Sequence, residues 1–121
     1  MKYIFLIFFS VVFSFDLFSQ DLKFIETEFD FGEIKEMDGK VSHKFVFTNN
    51  SKKPIKILSV KPSCGCTTPD WSKKELKPGD DGYIIAEYNP RGRPGVFRKS
   101  LSVITSDNNR ALIFIKGKVN R

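Results

Sequence analysis

Two cysteines separated by a single glycine, Cys64-Gly65-Cys66, have the most distinctive chemistry in this sequence of 121 residues. They are the only two cysteines in the chain. If their sulfurs are joined, the closed loop spans only about three residues, for which the chain-entropy relation gives about 1.6 kcal/mol of stabilisation. A bridge of this kind contributes little to the stability of a fold, and a strained small-ring disulfide is easily reduced.

Three interpretations of the cysteine pair remain open. In the first, Cys64 and Cys66 form a rigid structural corner, either bridged or packed as small apolar groups. In the second, the pair exchanges disulfides or senses oxidants, and the charge of Lys61 favours the reactive thiolate. In the third, two thiolates hold a soft ion such as Cu(I). Zinc is disfavoured because a structural zinc site needs four ligands, and His43, the only histidine, is expected to face the core.

Three further residues are candidates for contact with a ligand or partner. Trp71 either offers a binding platform or folds over the cysteine corner and buries its ring against the core. Arg91 and Arg93 lie in the loop 89–95, the densest basic patch, which could meet an anionic glycan or a lipid headgroup or could simply be a solvated surface. With one histidine, no Gly-x-Ser-x-Gly elbow and no glycine-rich phosphate motif, the sequence predicts a protein that is not an enzyme.

The net charge of +6 and the isoelectric point near 9.4 raise the question of nucleic-acid binding. The basic residues are spread along the chain, however, and no aromatic residues are interleaved with them in the pattern of single-strand binders. We therefore expect no nucleic-acid partner.

The elements that must position these residues are strands, because apolar residues alternate with a period of two. The strongest alternation predicts strands over 41–48, 55–60, 83–88, 96–105 and 111–119. Near the start, Leu22–Ile25 and Phe29–Ile34 are predicted to form one edge strand broken by a kink, with Gly32 at a bulge. All six prolines are expected between strands or at a first strand residue. Short strands separated by turn signals predict a sandwich of two antiparallel sheets.

The N-terminal segment Met1–Gln20 is typical of a signal peptide. Lys2 precedes an apolar run over Tyr3–Phe15, which is too short for a bilayer span of about 20 residues. We expect cleavage after Ser19 or Gln20, with an uncleaved anchor as the alternative. The mature chain of residues 21–121 is then one domain without a membrane span, periplasmic or secreted, in a compartment where disulfides persist.

Several segments of the mature chain together resemble one exported bacterial family. The matching pieces are Phe29-Asp30-Phe31-Gly32-Glu33-Ile34, His43 to Asn49, Pro62-Ser63-Cys64-Gly65-Cys66-Thr67-Thr68-Pro69, Lys77-Pro78-Gly79 and Ile115 to Val119. They resemble the immunoglobulin-like family known as domain of unknown function fifteen-seventy-three. The resemblance implies an all-β, immunoglobulin-like antiparallel β-sandwich of about seven strands, related in style to the Hydin and major-sperm-protein domains, and it implies no established activity.

These observations favour an exported, non-enzymatic binding or structural module of the bacterial envelope. Its partner would be a protein or glycan of the envelope, bound by loops at one end of the sandwich or by an exposed edge strand. The alternative is a dithiol redox protein or copper-binding protein that acts through Cys64 and Cys66. The sequence determines neither the ligand nor the oligomeric state.

Overall fold

The structure is a computed structural model that describes residues 21–121, so the predicted signal peptide lies outside the described residues. The regular secondary structure of the described part is all strand apart from one short 3₁₀ turn at Glu36–Asp38. The strands are β1 (Leu22–Phe24), β2 (Glu28–Lys35), β3 (Val41–Asn49), β4 (Ile57–Pro62), β5 (Thr67–Trp71), β6 (Asp81–Tyr88), β7 (Gly95–Thr105) and β8 (Arg110–Asn120). No helix within residues 21–121 is long and apolar enough to cross a membrane.

The strands form two four-stranded sheets that pack face to face as a sandwich. The first sheet has the order β1-β3-β6-β5 and the second the order β2-β8-β7-β4. This is the constant-type immunoglobulin arrangement, with the first strand divided between the two sheets. The predicted all-β, immunoglobulin-like sandwich is thus confirmed, and the division of the first strand brings the count to eight strands.

The predicted single edge strand at the start of the chain is wrong in one respect. β1 pairs antiparallel with β3 in the first sheet, whereas β2 pairs parallel with β8 in the second. The change of sheet is completed between Ile25, whose N–H still donates to β3, and Thr27, whose carbonyl accepts from β8. The bulge at Gly32 is present: the register shifts there, the glycine has φ +70°, and its N–H donates to Asp30 Oδ1 at 2.7 Å. The sheets are therefore antiparallel except for this one parallel pair.

The core lies between the two sheets and follows the alternation seen in the sequence. Its fully buried side chains include Phe45, Phe47, Ile84, Tyr88, Leu101, Val103, Ile113 and Ile115. Gly82 of β6 lies directly against the ring of Phe47, and a Cβ placed on it would be 2.5 Å from Phe47 Cζ. Only a glycine fits this position without a shift of the ring.

His43 faces the interior near the point where the chain changes sheets. Its ring stacks on Phe29 at 3.6 Å between centroids and meets Phe45 edge to face at 4.9 Å. Nε2 is hydrogen-bonded to the carboxylate of Glu26, and 21% of the side chain is exposed. The histidine therefore connects β3 to the segment between β1 and β2, which is a structural role.

β5 is a strand that the sequence analysis did not predict, because Pro69 and the polar residues around it read as a loop. It lies at the edge of the first sheet. Two hydrogen bonds bracket its ladder with β6, from Asn89 N–H to Cys66 O and from Ser72 N–H to Tyr83 O, both at 3.0 Å. By the alternation of antiparallel pairing, Pro69 faces away from β6, where its missing N–H costs no ladder bond. The expectation that every proline lies between strands or at a first strand residue is wrong here.

The outward side of β5 has no free N–H group. Thr67 donates its N–H to Cys64 O at 3.4 Å, Pro69 has no N–H, and Trp71 donates its N–H to Asp70 Oδ1 at 2.9 Å. A partner strand needs such donors to add to a sheet edge. This edge is therefore closed to strand addition.

Candidate functional site

The cysteine corner connects β4 to β5 at one end of the sandwich. Cys64 and Cys66 are joined by a disulfide, and their Cα atoms are 5.3 Å apart, within the usual range for such bonds. Cys66 is only 4% exposed and belongs to the core, whereas Cys64 is half-buried and packs against its margin. The two sulfurs therefore occupy different environments although they are covalently joined.

Hydrogen bonds fasten this corner to the neighbouring strands. Ser63 donates its N–H to Ser100 O at 2.9 Å, and the Ser100 N–H is accepted by Ser63 Oγ at 3.1 Å. On the other side the Asn89 N–H is accepted by Cys66 O. Within the corner, Cys66 donates its N–H to Cys64 Sγ at 3.2 Å. Because both flanks are held by the backbone, the position of the corner does not depend on the disulfide alone.

A surface groove of about 390 Å³ lies between the corner and the loop that joins β6 to β7. Tyr88 and Phe97 lie beneath it with rings stacked at 4.0 Å between centroids and nearly parallel, and both residues are buried, at 1% and 6% exposure. Val96 stands at its rim with 83% of the residue exposed, beside Pro94. The groove thus combines an exposed aliphatic side chain and the disulfide above a buried pair of aromatic rings.

Two cationic side chains, Arg93 and Lys99, also line the groove. Arg93 donates from Nη1 to the carbonyls of Asn89 and Arg91, both at 3.2 Å, so the loop holds its guanidinium in place. Lys99 occupies a position of β7 where alternation places core residues, between Phe97 and Leu101. None of the salt bridges among residues 21–121 includes either cation. The groove therefore offers two positive charges without an ion-pair partner among residues 21–121, although the Glu36 carboxylate reaches the same loop by accepting the Gly92 N–H at 2.7 Å.

The charge of Arg93 is also felt by the tyrosine in the groove. Burial raises the pKa of the Tyr88 hydroxyl above its usual value, and the nearby guanidinium partly offsets this rise. The direction of the net shift keeps the tyrosine protonated and neutral at ordinary pH. The positive charge of the groove is therefore not diminished by a tyrosinate.

The structure brings together three of the five residues singled out from the sequence: Cys64, Cys66 and Arg93. Arg91 is exposed outside the groove. Trp71 also lies outside it, half-buried against the core with Lys73 Nζ 3.2 Å from the centre of its ring. Trp71 therefore does not form part of the groove.

Lys99 was missed by the sequence analysis, which associated Lys61 with the cysteines instead. Lys61 is exposed on β4 and does not line the groove. One signal in the sequence could have identified Lys99: it is a lysine at a position of β7 where the alternation predicts an apolar side chain.

Copper binding by Cys64 and Cys66 would require reduction of their disulfide first, since the ligands are thiolates. Among residues 21–121 no cluster of three or more His, Cys, Asp and Glu side chains could complete such a site.

Solved structures with the same fold come from bacteria and from humans. A protein of unknown function from Porphyromonas gingivalis W83 superposes with a TM-score of 0.67 at 19% identity, over 80% of this chain and 46% of that one. The VesB protease of Vibrio cholerae superposes with a TM-score of 0.64 at 16% identity, over 82% of this chain and 32% of the protease. The ASH/PapD-like domain 7 of human CEP192 superposes with a TM-score of 0.64 at 9% identity, over 84% of this chain and 86% of that domain.

At these identities the similarity shows the fold alone. The chain spans less than half of the Porphyromonas protein and about a third of the protease. No curated protein matches the sequence.

A family comparison covers almost all of the described chain. The match runs over residues 22–119, from the first residue of β1 to the penultimate residue of β8, and includes the cysteine corner and the groove. The chain therefore belongs to the family described as "Protein of unknown function (DUF1573)".

Proposed function

We propose that this protein is an exported, non-enzymatic binding module of the bacterial envelope, and that the groove beside the cysteine corner binds an acidic segment of a partner protein. The observation that carries the proposal is the pair of cations, Arg93 and Lys99, left without an ion-pair partner among residues 21–121 in a groove above stacked aromatic rings. Carboxylates of a partner would pair with the two charges, and one of its apolar side chains would cover the exposed Val96.

The β5 and β2 edges of the sandwich offer less to a partner strand than the groove offers to an acidic segment. The β5 edge has no free N–H group. The β2 edge is interrupted by the bulge at Gly32 and carries three exposed acidic residues, Glu28, Asp30 and Glu33. Bulges and charges of this kind oppose strand addition. Strand addition is thus opposed at these two edges, and we favour the loop end of the sandwich as the binding surface.

A non-enzymatic role agrees with the chemistry that lines the groove. Its polar side chains are cationic or phenolic, and it contains no carboxylate or imidazole that could act as a general base. Export to the periplasm or the exterior rests on the predicted signal peptide. An oxidising compartment is also where a disulfide such as Cys64–Cys66 persists.

The proposal can be tested by NMR titration of the ¹⁵N-labelled protein with a short peptide that alternates Asp or Glu with Val and Phe. We expect amide shifts at Gly65, Val96 and Lys99, and no such shifts with a peptide in which Asn and Gln replace the acids. The double variant Arg93→Gln/Lys99→Met should lose binding. Arg91→Gln, which removes a nearby charge outside the groove, is the matched control and should keep it.

Two results would contradict this assignment. One is binding by the double variant as strong as by the unaltered protein. The other is a response to a sulfated oligosaccharide at the groove with none to the acidic peptide, which would make the partner a glycan. Recovery of proteins from envelope extracts on the immobilised protein and on the double variant, side by side, would then identify partners that require the groove.

A further inference from the structure

We propose that the Cys64–Cys66 disulfide is a thiol-exchange site for small thiols that carry a carboxylate, with Cys64 as the sulfur attacked and Cys66 as the leaving group. This activity goes beyond binding of a protein segment and does not require it. Three features of the molecule support this activity: the unequal accessibility of the two sulfurs, the charges of the groove and the backbone hydrogen bonds that hold the corner.

Accessibility distinguishes the two sulfurs. A thiolate attacks a disulfide along the line of the S–S bond, from the side opposite the leaving sulfur. Cys66 is 4% exposed and is a member of the core, so an approach to its sulfur is obstructed by packed side chains. Cys64 is half-buried at the margin of the core and lines the groove. An attacking thiolate therefore reaches Cys64 first.

The charges of the groove select the attacking thiol. Arg93 and Lys99 line the same groove as Cys64, and neither is paired with a carboxylate of residues 21–121. Positive charges raise the local concentration of an anionic thiol and favour its thiolate, which is the reactive form. A thiol with a carboxylate should therefore react faster here than a neutral thiol of the same size.

The Cys64–Cys66 disulfide can be broken without loss of the fold. The flanks of the corner are held by the hydrogen bonds between Ser63 and Ser100 and between Asn89 and Cys66. The bridge closes a loop between residues only two apart in sequence, and a loop this short makes a small contribution to stability. The disulfide can therefore take part in thiol exchange while the rest of the fold stays intact.

The reaction is balanced in two steps. In the first, the thiolate R–S⁻ forms a bond to Cys64 Sγ, the bond between Cys64 and Cys66 breaks, and Cys66 leaves as a thiolate that takes a proton from water. In the second, another R–S⁻ attacks the sulfur of R in this mixed disulfide. RSSR is released, and Cys64 leaves as a thiolate that accepts the N–H of Cys66, already 3.2 Å from its sulfur. Two thiols are oxidised and one protein disulfide is reduced.

The test compares 3-mercaptopropionate with 2-mercaptoethanol in exchange with the purified protein at low salt. The reference is the disulfide of the peptide acetyl-Cys-Gly-Cys-amide, which has the same ring and none of the groove. We divide the rate constant of the 3-mercaptopropionate thiolate by that of the 2-mercaptoethanol thiolate. This ratio should be higher in the protein than in the peptide, by about threefold for each of the two charges. It should return to that of the peptide in Arg93→Gln/Lys99→Met and stay high in Arg91→Gln. A ratio equal to that of the peptide, or unchanged in the double variant, would refute the role of the groove.

The site of attack is read from the mixed disulfide. After acid quenching and digestion, mass spectrometry should find the adduct on Cys64. An adduct predominantly on Cys66 would overturn the assignment of the leaving group.

Exchange could also proceed through global unfolding of the protein. A destabilised variant distinguishes this route from exchange in the folded protein. The substitution Gly82→Ala lies in the core away from the groove. It should leave the rate unchanged if the folded protein reacts. A rate that rises in step with the loss of stability would show that only unfolded molecules exchange. Acidic-peptide binding by the double variant Cys64→Ser/Cys66→Ser would show that the binding function survives, whatever the outcome for exchange.

Discussion

Reduction of the Cys64–Cys66 disulfide is the perturbation that best separates a structural corner from a reactive one. The two cysteines are two apart in sequence, and the closed loop of about three residues restricts the unfolded chain by about 1.6 kcal/mol. The backbone hydrogen bonds of the corner to Ser100 and Asn89 do not involve the sulfurs, so we expect them to survive reduction. We therefore expect the reduced protein to remain folded and to be less stable by about 1.6 kcal/mol.

The measurement is urea unfolding of the protein with and without a phosphine reductant, followed by the fluorescence of Trp71. With an m-value of about 1.5 kcal/mol/M, the midpoint should fall by about 1 M while the slope stays the same. The double variant Cys64→Ala/Cys66→Ala should not respond to the reductant and serves as the control. A loss above about 4 kcal/mol, or the disappearance of a cooperative transition, would refute the reasoning and make the bridge a structural necessity.

Two further predictions concern the stability of the sandwich. Gly82→Ala should cost about 1–3 kcal/mol, because the new Cβ would be 2.5 Å from Phe47 Cζ, whereas Gly65→Ala, with no atom within 4 Å, should be nearly neutral in thermal denaturation. Asp21→Asn should stabilise the protein by about 0.5 kcal/mol at pH 7. The hydrogen bond that the protonated Asp21 carboxyl donates to the Asp107 carboxylate raises the pKa of Asp21, as do burial and the negative charge of Asp107. The folded state is therefore less stable once the pH rises above that pKa, and the advantage of Asn at this position should vanish in urea titrations at lower pH.

Much of the fold could be predicted because alternation reports which face of a strand is buried. The strands that pair inside the sheets, β3, β6, β7 and β8, each bury one face, and their residues alternate accordingly. Alternation does not report which sheet a strand joins, so the division of the first strand into β1 and β2 was not predicted. β5 was missed because Pro69 is tolerated only at an edge, and edge position depends on the complete topology.

The candidate site was predicted only in part for a related reason. The chemistry of Cys64 and Cys66 is local and can be read from three consecutive residues. Their proximity to Arg93 and Lys99 arises where the β4–β5 corner meets the β6–β7 loop and β7, a contact between segments about 30 residues apart. Such a contact depends on the packing of the sheets, so no spacing in the sequence reveals it.

The closed edge at β5 has a consequence for assembly. A continuous sheet running through successive copies of a domain requires two edges that accept strands. On the β5 side the outward N–H groups of Thr67 and Trp71 are already used and Pro69 has none, so the first sheet could be extended only past β1, which is three residues long. The first sheet can therefore terminate a sheet that begins in another protein but cannot pass it on, and filaments built through the first sheet are blocked at their second subunit.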